Sequence, residues 1–421
     1  MFTIKPIPVS DLEPLLEVYL NSYPAFKTLD LDGIDFYRKK TLHELEKAED
    51  IDFFGCYEDN RLIASMKIID FSMNYFGEMR KAKGLMSLAV HPFHRKKGVA
   101  FQMVQFFENF SKESGASTAI LLPFNISFYR NMGYGLGARM DEYHVETKNL
   151  PPCEDSSRLA YVPREDLPKI LDAYHSFAEK NHGTLCRFSE EIFWFERDEE
   201  TLVVGIYEGH SLSAYIRYHF ENGHDNNYTQ NRIIVDELVY NNSKELRELI
   251  GFLERQKDMV QSVVLRSGKE DFYHFIQDPQ HISKNYIPYG YLQTNVSAVG
   301  NMYKILDLEK FFQDTSHRKF PSTSLKLSIT LFDEIQKTEE EFFLTFQEKE
   351  DHSSHWKFSK EGSGNVHLKC NRATLSALLL NAASFHSLVE MGLIELEEKE
   401  LAQELDRLFH YFQKPFSNSD Y

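Results

Sequence analysis

The chain has 421 residues, 42% of them hydrophobic and 14% aromatic, which excludes a disordered protein and is enough for two or three packed domains. A formal net charge of −17 argues against a general nucleic-acid binder, which needs a basic face, and against anionic membranes. The same charge suits cationic ligands such as polyamines, basic peptides or aminoglycosides, or serves plain solubility.

The first segment alternates strands and helices. FTIKPI reads as an opening strand, and SDLEPLLEVYLNSY as a helix capped by Ser10 or Asp11. DFFGCYEDNRLIASMKIIDFSM reads as a hairpin turning at Asp59-Asn60, and GLMSLAVHP as a further strand. VAFQMVQFFENFSKES is a helix ending before Gly115, STAILLP a buried strand, ISFYRNMGY a short helix and RMDEYHVE a closing strand. TLDLDGIDFY between them reads as a loop. Its Asp30, Asp32 and Asp35 either line a cationic pocket or stay solvated, and Tyr23, Phe26 and Phe36 read first as core packing and otherwise as aromatic walls of such a pocket.

A Pro-paired linker, NLPPCEDSSR, precedes a second segment in the same style. LPKILDAYHSFAEKN is helical, TLVVGIYEGHSLSAYIRYHFE is a hairpin, and RIIVDELVYNNSKELRELIGFLERQ is a strand feeding a helix. It reads as a degenerate duplicate of the first segment, with YNNSKEL where the first has a basic glycine loop. The last segment carries strands LKLSITL, EEFFLTFQE and GNVHLKCN, then two helices, RATLSALLLNAASFHSLVEMG and EKELAQELDRLFHYF. The expected architecture is α+β, in units of 1–150, 151–296 and 297–421.

Cys56, Cys153, Cys186 and Cys370 form no C-x-x-C pair, so reduced thiols are expected, with neither metal nor disulfide framework. His352 and His355 lack nearby partner ligands and read as a surface feature. No signal peptide and no membrane span are expected, which places the protein in the cytoplasm.

Chemistry concentrates in LMSLAVHPFHRKKGVAFQM, residues 85–103. An apolar strand ends at Val90, and Arg95-Lys96-Lys97-Gly98-Val99-Ala100 opens a helix. Unpaired N–H groups and the dipole at a helix start favour a pyrophosphate, and Gly98 lets the backbone approach it closely. A basic helix start alone leaves phosphate binding open. R-x-x-G-x-A after an apolar strand resembles the coenzyme A loop of GNAT acetyltransferases. PFNISFYRNMGYG, from Pro123, resembles that family's closing FY-x-x-x-GY segment, at the family's order and spacing.

The whole layout is similar to that of the Eis (enhanced intracellular survival) family: a GNAT domain, a degenerate GNAT domain and a C-terminal domain like sterol carrier proteins. The resemblance implies acetyl-CoA as cosubstrate, with Tyr129 as general acid. It implies a cofactor site of Leu88, Ala89, Val90, Arg95, Lys96, Lys97, Gly98, Val99, Ala100 and Phe101, joined by Phe124 and Asn125. It further implies the terminal carboxylate of Tyr421, beside Asp420, as general base, an aminoglycoside-like amine as acceptor and a hexameric assembly. Lysine or polyamine acetylation, or non-catalytic binding of coenzyme A or lipid, are the alternatives.

Overall fold

The computed structural model describes residues 2–23, 25, 30–137, 139–224, 226–227, 230–333, 335, 337–348 and 353–419. Its first stretch runs β1 (Thr3–Pro6), α1 (Leu12–Ser22), α2 (Leu31–Lys47), β2 (Ile51–Glu58), β3 (Arg61–Tyr75), β4 (Glu78–Val90), α3 (Val99–Glu113), β5 (Thr118–Leu121), α4 (Ile126–Asn131) and β6 (Gly135–Leu136). The second runs β7 (Arg139–Glu146), β8 (Leu159–Tyr161), α5 (Leu167–Lys180), α6 (Ser189–Arg197), β9 (Leu202–Glu208), β10 (Ser211–Asn222), β11 (Asn231–Val239), α7 (Ser243–Glu254), β12 (Val260–Ser267), β13 (Tyr286–Ile287), β14 (Tyr291–Leu292) and β15 (Val296–Val299). The third runs β16 (Met302–Ile305), α8 (Leu308–Asp314), β17 (Lys326–Asp333), β18 (Thr338–Glu348), β19 (Ser354–Ser359), β20 (Val366–Asn371), α9 (Arg372–Leu379), α10 (Phe385–Glu390), β21 (Glu395–Leu396) and α11 (Ala402–Phe409).

Local chemistry explains most of these elements. The β2–β3 turn falls on Asp59 and Asn60, whose φ angles of 49° and 63° suit the left-handed turn that matches strand twist. Helix α3 buries Val99, Met103, Val104, Phe107 and Ser111 as one stripe against the sheet. The stretch read as a loop around Asp30 is instead the start of α2. Asp30 is its N-cap, with the carboxylate accepting from the Gly33 N–H at 2.8 Å. Asp11 precedes α1 without capping it; its carboxylate accepts from the Tyr57 hydroxyl at 2.7 Å. The long penultimate helix breaks into α9 and α10, because Asn381 turns to φ 58° and gives its amide to the carbonyls of Tyr411 and Gln413.

Two seven-stranded sheets share one pattern, β1-β2-β3-β4-β5-β16-β6 and β8-β9-β10-β11-β12-β7-β15. In each, one parallel pair (β4 with β5, β11 with β12) is joined by a crossover helix, α3 or α7. The sixth place is filled in the first sheet by β16, which opens the third stretch, and in the second sheet by β7, which follows directly on β6. β7 follows the first stretch yet pairs with β12 and β15, and β16 follows the second yet pairs with β5 and β6. The closing strand RMDEYHVE therefore belongs to the second sheet, and the expected breaks at 150 and 296 both cut across this exchange.

The third sheet runs β19-β18-β17-β20-β21. Phe312, Trp356 and Phe358 pack on one another there at ring separations of 4.8 and 5.4 Å. All three units meet at the β3–β4 tip. The Phe76 ring stacks on His182 at 4.2 Å, and the buried Arg318 guanidinium lies 4.3 Å over Phe76. Arg318 also donates to the carbonyls of Leu379 and Phe409, at the ends of α9 and α11, where a cation is favoured. No helix among the described residues is long and apolar enough to cross a membrane.

Candidate active site

The site forms where β4 and β5 part. Their pairing ends at Leu85 with Leu121, and beyond it β4 continues to Val90 with no strand partner on that side among the described residues. On the opposite side, Ser65 faces Ala89 while Lys67 faces Met86, so Ser87 and Leu88 together oppose Met66. This is a β-bulge, with Ser87 at φ 54°, and it takes backbone groups out of the ladder. The Tyr23 hydroxyl donates to the Leu88 carbonyl at 3.0 Å, and the side chains of Tyr19 and Ser87 are hydrogen-bonded, so α1 and the segment after it pin the bulge.

From Val90 a tight loop leads into α3. The His91 N–H donates to Ile63, fixing the loop's start. Lys96 and Gly98 take φ angles of 59° and 79°, and Gly98 caps α3 with no side chain closing the first turn and no acidic residue in it. The leading N–H groups of α3 are thus uncapped by side chains, between the exposed Lys96 and Lys97. Arg95 acts differently from its neighbours. Its Nη2 donates to Ser22 at 2.8 Å and its Nε to Val90 at 3.3 Å, so it ties the loop to α1.

Across the opening, Asn125 caps α4 by accepting from the Phe128 N–H at 3.0 Å. That cap orients Tyr129 inward, buried against Phe124, Phe128 and Tyr134 at ring separations of 5.5, 5.0 and 5.9 Å. Its hydroxyl makes no hydrogen bond among the described residues. Burial, reinforced by the neighbouring Tyr23 phenol, pushes its pKa well above the ordinary tyrosine value, so it stays protonated through neutral pH. Phe124 itself is largely exposed at the rim.

Behind the bulge lies a narrow pocket lined by Tyr19, Tyr37, Lys40, Met66, Lys67 and Ser87 among others. Its floor is charged and buried. Lys67 reaches Glu44 at 2.8 Å and Glu190 at 2.6 Å; Lys40 reaches Glu44 at 2.9 Å and also pairs with Glu190. Burial works to lower the Lys67 pKa, but Glu190 and Glu44 outweigh it and hold it raised. Burial would likewise raise the Glu190 carboxyl, and the two lysines reverse that.

A wider opening of about 1410 Å³ lies between the first two units, where Phe36 faces Trp194 at a ring separation of 5.4 Å. Glu191, Asp198, Glu199, Glu200, Asp236 and Glu237 line it against Arg187, Arg197 and Arg217. Asp35 is engaged by Lys39 at 2.7 Å and Arg38 at 3.6 Å. The chain's last described residue, Ser419, is buried and donates to Glu191 at 2.8 Å.

Every expected cofactor residue therefore lies on the β4 end, the α3 start or the α4 cap. Phe26, His352, Asp420 and Tyr421 fall outside the described residues; His355 donates from Nδ1 to the Ser316 carbonyl, 2.7 Å away. The Ser87 bulge and the four buried charges were not anticipated. Ser87 and Lys67 are polar residues inside apolar runs, whereas Lys40, Glu44 and Glu190 stand among other charged residues and carry no such trace.

Residues 4–137 match the model of a GNAT acetyltransferase domain, residues 183–293 match a second GNAT acetyltransferase domain model, and residues 308–418 match a sterol carrier protein domain. Among curated proteins none matches the sequence. Among solved structures the chain is similar over its whole length, and all of theirs, to Eis1 from Mycobacterium abscessus (17% identity, TM-score 0.76) and to a GCN5-related N-acetyltransferase from Anabaena variabilis (16%, 0.76). A GCN5-related N-acetyltransferase from Kribbella flavida matches all of this chain and 98% of its own, at 17% identity and TM-score 0.74. These likenesses establish a shared three-unit fold.

Proposed function

The chain is a GNAT acetyltransferase with two GNAT domains and a sterol carrier protein domain, in an Eis-like arrangement, and from this we propose that its first unit transfers an acetyl group from acetyl-CoA to an amine of a cationic, aminoglycoside-like small molecule. The observation that carries the reading is the α3 start, open and basic, beside the parted strands with Tyr129 facing the gap. Lys96, Lys97 and the N–H groups from Gly98 to Phe101 hold the pyrophosphate. Backbone N–H groups of Leu88–Val90 stabilise the oxyanion. Acetyl-CoA supplies the thioester. The amine nitrogen bonds to the carbonyl carbon, the carbon–sulfur bond breaks, and the Tyr129 phenol protonates the departing thiolate. The amine's proton passes to the terminal carboxylate of Tyr421. Two residues beyond Ser419 reach at most about 7 Å, and the α6 pair Glu190-Glu191 spans from the Lys40–Lys67 floor to Ser419.

The acid-rich opening beside Phe36 and Trp194 suits a polycationic acceptor. The exposed β13–β14 hairpin, with Tyr286, Ile287, Tyr289 and Tyr291 in solvent, suits assembly into a homo-oligomer, the hexamer of Eis-like proteins. We place the protein in the cytoplasm, where acetyl-CoA is made. Thiol release from acetyl-CoA is the test, with tobramycin, spermidine, a lysine peptide or no acceptor added. Fastest turnover with tobramycin supports the reading; preference for spermidine or peptide replaces the acceptor class, and no acceptor-dependent release overturns the activity.

A further inference from the structure

The second unit repeats the geometry of the first, but its helix start is capped and the chain's own C-terminal segment forms part of its cleft wall. Pairing of β11 with β12 ends at Ile234 with Val264, and the strands part beyond that point as β4 and β5 do. The helix start facing this gap is closed. Asn242 accepts from the N–H groups of Lys244 and Glu245 at 3.1 and 3.0 Å, and the Glu245 carboxylate accepts from the Asn241 N–H at 2.7 Å. Three of the donors a pyrophosphate would meet here, the N–H groups of Asn241, Lys244 and Glu245, are already used, and a buried carboxylate stands among them.

The chain's own C-terminal segment lines one side of this gap, where Phe412, Gln413, Lys414 and Phe416 share the lining with Leu238, Tyr240 and Leu246. The Phe416 N–H donates to His182 at 3.0 Å, and the Thr184 hydroxyl donates to the Phe416 carbonyl at 2.8 Å. Gln413 Oε1 accepts from the His182 N–H at 3.0 Å, and Lys414 pairs with Glu270 at 2.6 Å. Gly268, just past β12, leaves room for the Phe416 ring, which a Cβ there would strike. Ser419 then lands on Glu191.

We propose that the second unit's cleft, closed to coenzyme A, is a dock for residues 412–419, and that Thr184 and Gly268 are positioning residues for the reaction in the first unit. The inference rests on the reading of the terminal carboxylate as base: a base delivered on an extended tail works only if the tail is held. Ordering it in advance removes conformational freedom that would otherwise be lost in each turnover.

The test uses the full chain carrying Gly268→Val, Thr184→Val or Thr184→Ser, beside a chain lacking Asp420 and Tyr421. Amide exchange over 412–419, the acetyl-CoA Kd, and kcat and KM for the amine are measured on each. Gly268→Val and Thr184→Val are expected to speed tail exchange and lower kcat by about 10-fold or more, with the acetyl-CoA Kd within about 2-fold of native. Thr184→Ser keeps the hydroxyl and is expected to keep native exchange and kcat. A freed tail with native kcat, while the truncated chain is slow, overturns the docking role and leaves the base reading standing. Native exchange in both valine variants overturns it as well. Native kcat in the truncated chain overturns the base reading itself, and the positioning role with it.

Discussion

Lys67 on β3 and Glu190 on α6 lie 2.6 Å apart, both buried, and join the first unit to the second directly beneath the Ser87 bulge. With Lys40 and Glu44 they form a neutral set of two cations and two anions. Losing one member leaves an uncompensated charge in a dry site.

Lys67→Met is therefore expected to destabilise the chain by about 3–5 kcal/mol, the usual cost of breaking a buried pair. The folded Lys67 pKa is raised, so its contribution is full at and below neutral pH and fades only as pH climbs through the folded value. Glu190 is held lowered, so its share is full above the ordinary carboxylate pKa and fades as pH falls through the folded value. Denaturant unfolding of both proteins at pH 7 measures the difference, and equal midpoints and slopes would contradict it.

His182 gives a separate acid dependence. Its Nδ1 accepts from the Phe76 N–H at 3.1 Å and its Nε2 faces the Leu380 carbonyl at 2.9 Å, so the neutral ring with hydrogen on Nε2 satisfies both. Burial lowers its pKa to about 4. The unfolded value is about 6.5, so this stability is complete above that pH and is lost as pH falls towards 4, by roughly 3 kcal/mol at most. Tm measured from pH 7 to 4.5 is expected to drop less steeply in His182→Gln than in the native chain, from a lower starting value.

Tyr129→Phe is expected to lower kcat about 10²-fold while leaving the acetyl-CoA Kd nearly unchanged, since in the proposed reaction the phenol acts only on the leaving thiolate. Pre-steady-state rates separate chemistry from product release. A native rate of chemistry would remove Tyr129 from the mechanism.

Much of this candidate site is legible in the sequence, because the basic loop before α3, Gly98 and Tyr129 are each set by contiguous residues. The Asp59-Asn60 turn is local in the same sense. Asp30 hid the start of α2, since an Asp-rich stretch with Gly33 suits a loop as well as a capped helix. The exchange of β7 and β16 is written in pairings between residues more than a hundred positions apart, such as Val145 with Val263, which periodicity does not carry. Burial of Lys40, Glu44, Lys67 and Glu190 is likewise a property of packed units, and each alone reads as a surface charge.

The central claim is that one of the two GNAT clefts holds acetyl-CoA and the other does not. Calorimetric titration of acetyl-CoA into the native chain and into Gly98→Glu tests it most directly. Gly98 is at φ 79° with open space where a Cβ would stand, so a glutamate strains the turn by about 1–2 kcal/mol and puts a carboxylate at the proposed phosphate site. The expected result is one site per native chain and none in a folded Gly98→Glu variant. Two sites per chain, or one surviving in the variant, would contradict it.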